Sequence, residues 1–164
     1  MKQLVTEDTP LDQIRASFPG KKIEEEGLLV AFRDIFPFSP EISVEWNGRT
    51  FMVDDLFCVR PKCPCRNTVL DILPNDKRQP GEPLYNYPVV GYDYMTHAWH
   101  IEESGGEDEE TISGVISELK KSQLYRVWRK HHQMLKTLYK GFVKRGDQDV
   151  DLGVVVKRFS AKRG

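Results

Sequence analysis

The stretch that decides the reading is Ile42-Ser-Val-Glu-Trp46-Asn47-Gly48-Arg49-Thr-Phe-Met-Val53-Asp-Asp-Leu-Phe57-Cys58-Val-Arg-Pro61-Lys-Cys63-Pro64-Cys65. Ile42, Val44 and Trp46 alternate with polar neighbours, the period of a half-buried strand. Asn47-Gly48 is the strongest two-residue signal for a hairpin turn. The return strand is expected from Arg49 to Phe57, and it delivers the chain directly into Cys58.

Working outward, Thr68 to Leu73 reads as another strand and Pro74-Asn75-Asp76 opens a polar loop. Residues 88–102 are rich in aromatic and β-branched side chains. They predict one long strand, or two broken near Gly91. Upstream, residues 8–17 predict a short helix with Thr9 as cap and Pro10 at its first position. Residues 22–33 predict a strand. The stretch 102–110 is an acidic linker whose last acids suit a helix N-terminus. Beyond it the period becomes helical. Ile112, Val115, Ile116 and Leu119 share one face; Leu124, Val127, Trp128, His131, Met134, Leu135, Leu138 and Phe142 share another. The two stripes are offset, with a break near 120–123, so two helices or one kinked helix are expected. A final strand is expected within 150–156.

The fold class is therefore α+β: a mainly antiparallel β N-terminal part with a Cys-rich loop, then a long or kinked C-terminal helix and a possible last strand. The expected organisation is an acidic β region at 1–106, a basic helical region at 107–146 packing on it, and a tail at 147–164, together one domain. The chain has 164 residues, 39% hydrophobic and 30% charged, which suits one domain with a real core. The net charge of -1 conceals a division. Residues 1–116 hold 11 Lys and Arg against 21 Asp and Glu, whereas 117–164 hold 13 against 4. No apolar run reaches the roughly 18 residues that span a bilayer. The N-terminal residues carry acids and lack a secretory pattern, so a cytoplasmic location and no membrane partner are expected.

All three cysteines fall in the spacing C-x4-C-x-C, at Cys58, Cys63 and Cys65. In a reducing compartment such a cluster points to a metal or to thiol chemistry rather than to a disulfide. Zinc takes thiolates in a tetrahedral shell. Pro61 and Pro64 stiffen the loop, and Arg60, Lys62 and Arg66 offset its negative charge. The three cysteines are read as ligands of one structural Zn2+. His100, near the end of the aromatic strand, is the favoured fourth ligand, with His131 next and Asp54 or Asp55 as oxygen alternatives. Three ordinary buried cysteines, or a reactive low-pKa thiol, are the competing readings.

The run from Trp46-Asn-Gly48 through Val53-Asp-Asp55-Leu-Phe-Cys58 and Cys63-Pro-Cys65 to Val69-Leu70 resembles a group of bacterial proteins. Its members are often found with a C-terminal SEC-C motif, the short zinc motif also present at the end of the preprotein translocase ATPase. The resemblance covers about 25 residues and implies metal binding without a defined activity. Arg66-Asn67-Thr68 departs from the glycine-rich turn of that motif, and residues 150–164 contain no SEC-C tail.

The function expected from these features is a zinc-stabilised binding module with a protein partner. A second reading is nucleic-acid binding through the basic helix 120–145, by Lys121, Arg126, Arg129 and Lys130, with Tyr125, Trp128 and Tyr139 stacking on bases. A third is a zinc- or thiol-dependent enzyme. No H-E-x-x-H, P-loop or G-x-S-x-G pattern supports that class, and no catalytic residue is assigned.

Overall fold

The structure is a computed structural model that describes residues 18, 23, 27–37, 39–77 and 86–145. The expected helix at 8–17 and the strand within 150–156 lie outside the described residues. Among the described residues are six strands, β1 (Val30–Ala31), β2 (Ile42–Trp46), β3 (Arg49–Phe57), β4 (Asn67–Pro74), β5 (Val89–Asp93) and β6 (Trp99–Glu103). The helices with described bounds are α1 (Phe32–Ile35), α2 (Glu109–Lys121) and α3 (Tyr125–Arg145). The α+β class holds, with an antiparallel sheet. No helix among the described residues is long and apolar enough to cross a membrane.

The chain forms two compact units. One comprises Glu41–Leu56 and Arg66–Arg129; the other takes the described parts of Met1–Pro40, Phe57–Cys65 and Lys130–Gly164. Each draws on both the β-rich and the helical parts of the sequence.

The first unit is an antiparallel meander in the order β2-β3-β4-β5-β6. Its opening hairpin pairs Trp46 with Arg49 and Ile42 with Val53. Asn47 and Gly48 both have positive φ, 51° and 74°, as a two-residue turn matching strand twist requires. Along β3 and β4 alternate residues are buried, so Phe51, Val53, Leu70 and Ile72 share one face, joined by Val90 and Tyr92 of β5. α2 packs against β2. Gly114 makes this possible, because a Cβ there would meet the Trp46 indole at 2.1 Å.

The aromatic segment 88–102 folds as two strands, and the break falls at Tyr94–Ala98 rather than at Gly91. The Asp93 carboxylate accepts hydrogen bonds from the backbone N–H groups of Met95 at 2.8 Å and Thr96 at 3.0 Å. This turn chemistry outcompetes continuation of the strand, and His97 completes it at φ 66°. Gly91 stays inside β5, opposite His100.

α2 begins where the sequence predicts. Asp108 caps it by accepting from Thr111 N at 2.7 Å, and Glu109 and Glu110 occupy the first turn. It ends at the expected break. Gln123 adopts φ 57°, its N–H reaches Lys120 O, and Leu124 N–H reaches Leu119 O. These two bonds form a Schellman stop, and α3 starts at Tyr125.

The second unit contains the cysteine loop. Among the described residues of 22–33 the expected strand is reduced to Val30–Ala31. Gly27–Leu29 is irregular, β1 is two residues long, and α1 follows at once. The sequence KIEEEGLLVAFR has apolar residues without strict alternation, so the run of β-prone side chains does not commit to a strand. Val30, Phe32, Ile35 and Phe36 are buried, as are Phe57, Val59, Met134, Leu135, Leu138 and Tyr139.

Candidate metal centre

The loop is positioned by burial on either side of its first cysteine. Phe57 and Val59 are fully buried, and the alternation that places them inward turns Cys58 the other way. Cys63 N–H then donates to Arg60 O at 3.1 Å, closing a turn over Pro61 and Lys62. Pro61 and Pro64 are exposed and hold their φ angles without needing an N–H partner. The three sulfurs converge as a result: Cys58, Cys63 and Cys65 Sγ all lie within 4.8 Å of one another, each half-buried. Cys63 and Cys65 Sγ are 3.0 Å apart.

This group can hold a metal ion. At about 2.3 Å from each sulfur, tetrahedral zinc sets neighbouring thiolates about 3.8 Å apart, inside the 4.8 Å span of the group and wider than the 3.0 Å between Cys63 and Cys65. Without metal, the sulfurs perturb one another. Cys63 is held below the ordinary thiol range, first by hydrogen bonding with Cys65, helped by Cys58 and Lys136. Cys65 is pushed up to about 12 by burial and by its Cys63 and Cys58 neighbours. Cys65 thus holds its proton more tightly than an ordinary thiol does, a proton that a divalent cation would replace.

α3 supports the loop at both ends. His132 Nε2 donates to Cys58 O at 2.7 Å, and its ring stacks on Phe57 at 5.1 Å between centroids. One turn along the helix, Lys136 Nζ donates to Cys63 O. Burial holds the His132 imidazolium below its usual range and favours the neutral ring. Arg60 and Lys62, the expected counter-charges, are exposed; the cation whose hydrogen bond reaches the loop is Lys136. Sequence reasoning did not single out His132. The signal for its role was the i, i+4 pair His132 and Lys136, which lies beside the buried stripe of the helix.

Neither favoured fourth ligand joins the sulfur group. His100 is on β6, its ring lying over Gly91, where a Cβ would meet His100 Cε1 at 2.4 Å. Its side chain is 68% exposed, and Nε2 is 3.4 Å from Glu102. His131 instead stacks on Phe32, with ring centroids 3.4 Å apart and planes within 3°. Among the described residues no histidine nitrogen or carboxylate oxygen, including those of Asp54 and Asp55, forms part of the group.

The basic residues assigned to nucleic acid are distributed along two helices. Lys121, Arg126 and Arg129 are exposed and Lys130 is half-buried. The aromatic partners expected beside them are withdrawn. Trp128 and Tyr139 are 1% and 2% exposed, packed on Tyr92 and Phe18 respectively. Tyr125 sets its ring edge against His97.

Comparison with known proteins returns no match: no family model, no curated protein and no solved structure matches the chain.

Proposed function

We propose that this chain is a zinc-binding protein in which Cys58, Cys63 and Cys65 hold the metal, and that the metal serves mainly to hold together a binding module for another protein. The convergence of the three sulfurs within 4.8 Å carries the reading. Sulfur-only donors select a soft or borderline ion, and zinc is the borderline ion that binds such sites without redox chemistry. The chemistry of a clip follows from the position of the loop. The cysteines interrupt a run of buried residues, Phe57 and Val59, so fixing the thiolates also fixes their apolar neighbours. A metal that binds the folded loop and not the unfolded chain adds its binding energy to folding.

Chelation tests this. At a free zinc concentration of about 100 times Kd, the metal contributes about 2.7 kcal/mol, which for a chain of this size lowers Tm by about 5–10 °C when removed. A Tm indifferent to EDTA contradicts the clip.

A nucleic-acid reading retains one specific support. α3 carries no acidic residue, and Arg126, Arg129 and Lys140 are exposed along it. With Trp128 and Tyr139 buried, contact would be through phosphates alone and would fall steeply with salt. Titration of a fluorescent duplex at two salt concentrations decides it, since binding that ignores salt is incompatible with phosphate contacts.

A further inference from the structure

We propose that the metal at Cys58, Cys63 and Cys65 keeps one coordination position for an exogenous neutral nitrogen donor of the imidazole class. This inference rests on the zinc reading above.

Zinc bound by sulfur and nitrogen is almost always four-coordinate in closed sites. The chain contains three cysteines and four histidines, and every one is among the described residues. The cysteines supply three positions. Among the described residues no histidine nitrogen and no carboxylate oxygen lies in the sulfur group, and each histidine ring has contacts elsewhere. His97 Nδ1 is 2.9 Å from Tyr92 OH, and His100 is beside Glu102. His131 is sandwiched flat on Phe32 in the interior. His132 comes nearest to the loop, yet its Nε2 faces the Cys58 carbonyl oxygen at 2.7 Å. A carbonyl only accepts, so Nε2 carries the proton and has no lone pair for a metal, and Nδ1, which keeps one, is not part of the sulfur group. The ring supports the loop rather than completing it.

Solvent access and charge define what fits. Cys58, Cys63 and Cys65 are each partly exposed, and Pro61, Lys62 and Pro64 around them are exposed, so a donor can approach from outside. Three thiolates and a divalent ion sum to one negative charge. Among the described residues one ammonium, that of Lys136, hydrogen-bonds the loop backbone, which offsets that charge. A fourth thiolate would leave a second negative charge, whereas a neutral imidazole leaves the balance intact. Water holds the position when no imidazole is present.

Cobalt(II) reports the shell directly. The full chain loaded with cobalt is titrated with imidazole and followed by visible absorption. The expected result is a saturable one-site shift of the d–d bands, with the sulfur-to-cobalt charge-transfer absorption of three thiolates unchanged. Bands that do not move while charge transfer persists describe a closed site; they overturn the open position and leave the metal reading standing. A wild-type chain that is inert beside a His132→Gln chain that responds identifies His132 as the fourth ligand and overturns the inference in the same way. Charge transfer that disappears during the titration means that imidazole strips the metal, and also overturns it. No charge transfer at any cobalt concentration removes both the open position and the metal site.

Discussion

Replacing Asp71 with asparagine stabilises the protein near neutral pH and leaves it unchanged in acid. Asp71 lies on β4 directly opposite Asp54 of β3, a like-charge pair across antiparallel strands. Its pKa is raised to about 6, first by burial and next by Asp54, with smaller contributions from Glu103 and Glu102. A hydrogen bond from Tyr87 works against the rise. In the unfolded chain the carboxyl loses its proton near its ordinary value of 3.8. The folded state resists that loss, so stability from this residue is intact below about pH 4, declines toward pH 6 and remains reduced above it. About two pKa units correspond to a ceiling of about 3 kcal/mol, and partial solvent exposure reduces this to about 1–2 kcal/mol. Asparagine is uncharged and retains an oxygen to accept from Tyr87. Urea unfolding of both chains near pH 7.5 should show the Asp71→Asn midpoint raised by that amount with m unchanged. Near pH 3.5 the two curves should coincide. A gap of equal size at both pH values, or none at the higher one, refutes the reasoning.

Two further substitutions probe other parts of the chain. Glu107 takes both Arg49 guanidinium nitrogens at 2.8 Å and Lys77 Nζ at 2.7 Å, and Arg49 holds it down to about 2. Its contribution is present above the ordinary glutamate range and is lost as pH falls through about 2; Glu107→Gln should cost about 2 kcal/mol in urea unfolding near neutral pH, with the cost shrinking in acid. Lys136→Met removes the hydrogen bond to Cys63 O, and competition with a chromogenic chelator should show zinc affinity lowered about 10–100-fold, an unchanged affinity counting against the supporting role of α3.

The elements that local chemistry dictates were legible in the sequence. Asn47-Gly48 fixes the hairpin because both positions need positive φ, and the alternation after Arg49 runs unbroken to Phe57. The end of α2 was visible as a change of apolar stripe, although nothing in the pattern says that a glutamine, Gln123, would take the left-handed stop. The misreadings arise where side chains choose between partners. The turn after β5 is set by one carboxylate, Asp93, binding two backbone N–H groups, a choice that residue type permits but does not compel. Neither histidine expected as fourth ligand lies in the sulfur group, for a related reason. Histidines at 100 and 131 satisfy themselves with Glu102 and Phe32, and such pairings depend on which elements meet. The three cysteines needed no such information, since eight residues of loop suffice to bring them together.

The central claim concerns metal, and elemental analysis of the purified chain addresses it most directly. Zinc content is measured for the wild type and for Cys58→Ser, Cys63→Ser and Cys65→Ser after the same purification. The account predicts one zinc per chain in the wild type and its loss in each variant. A wild type without stoichiometric zinc, or variants that retain it in full, contradicts the account.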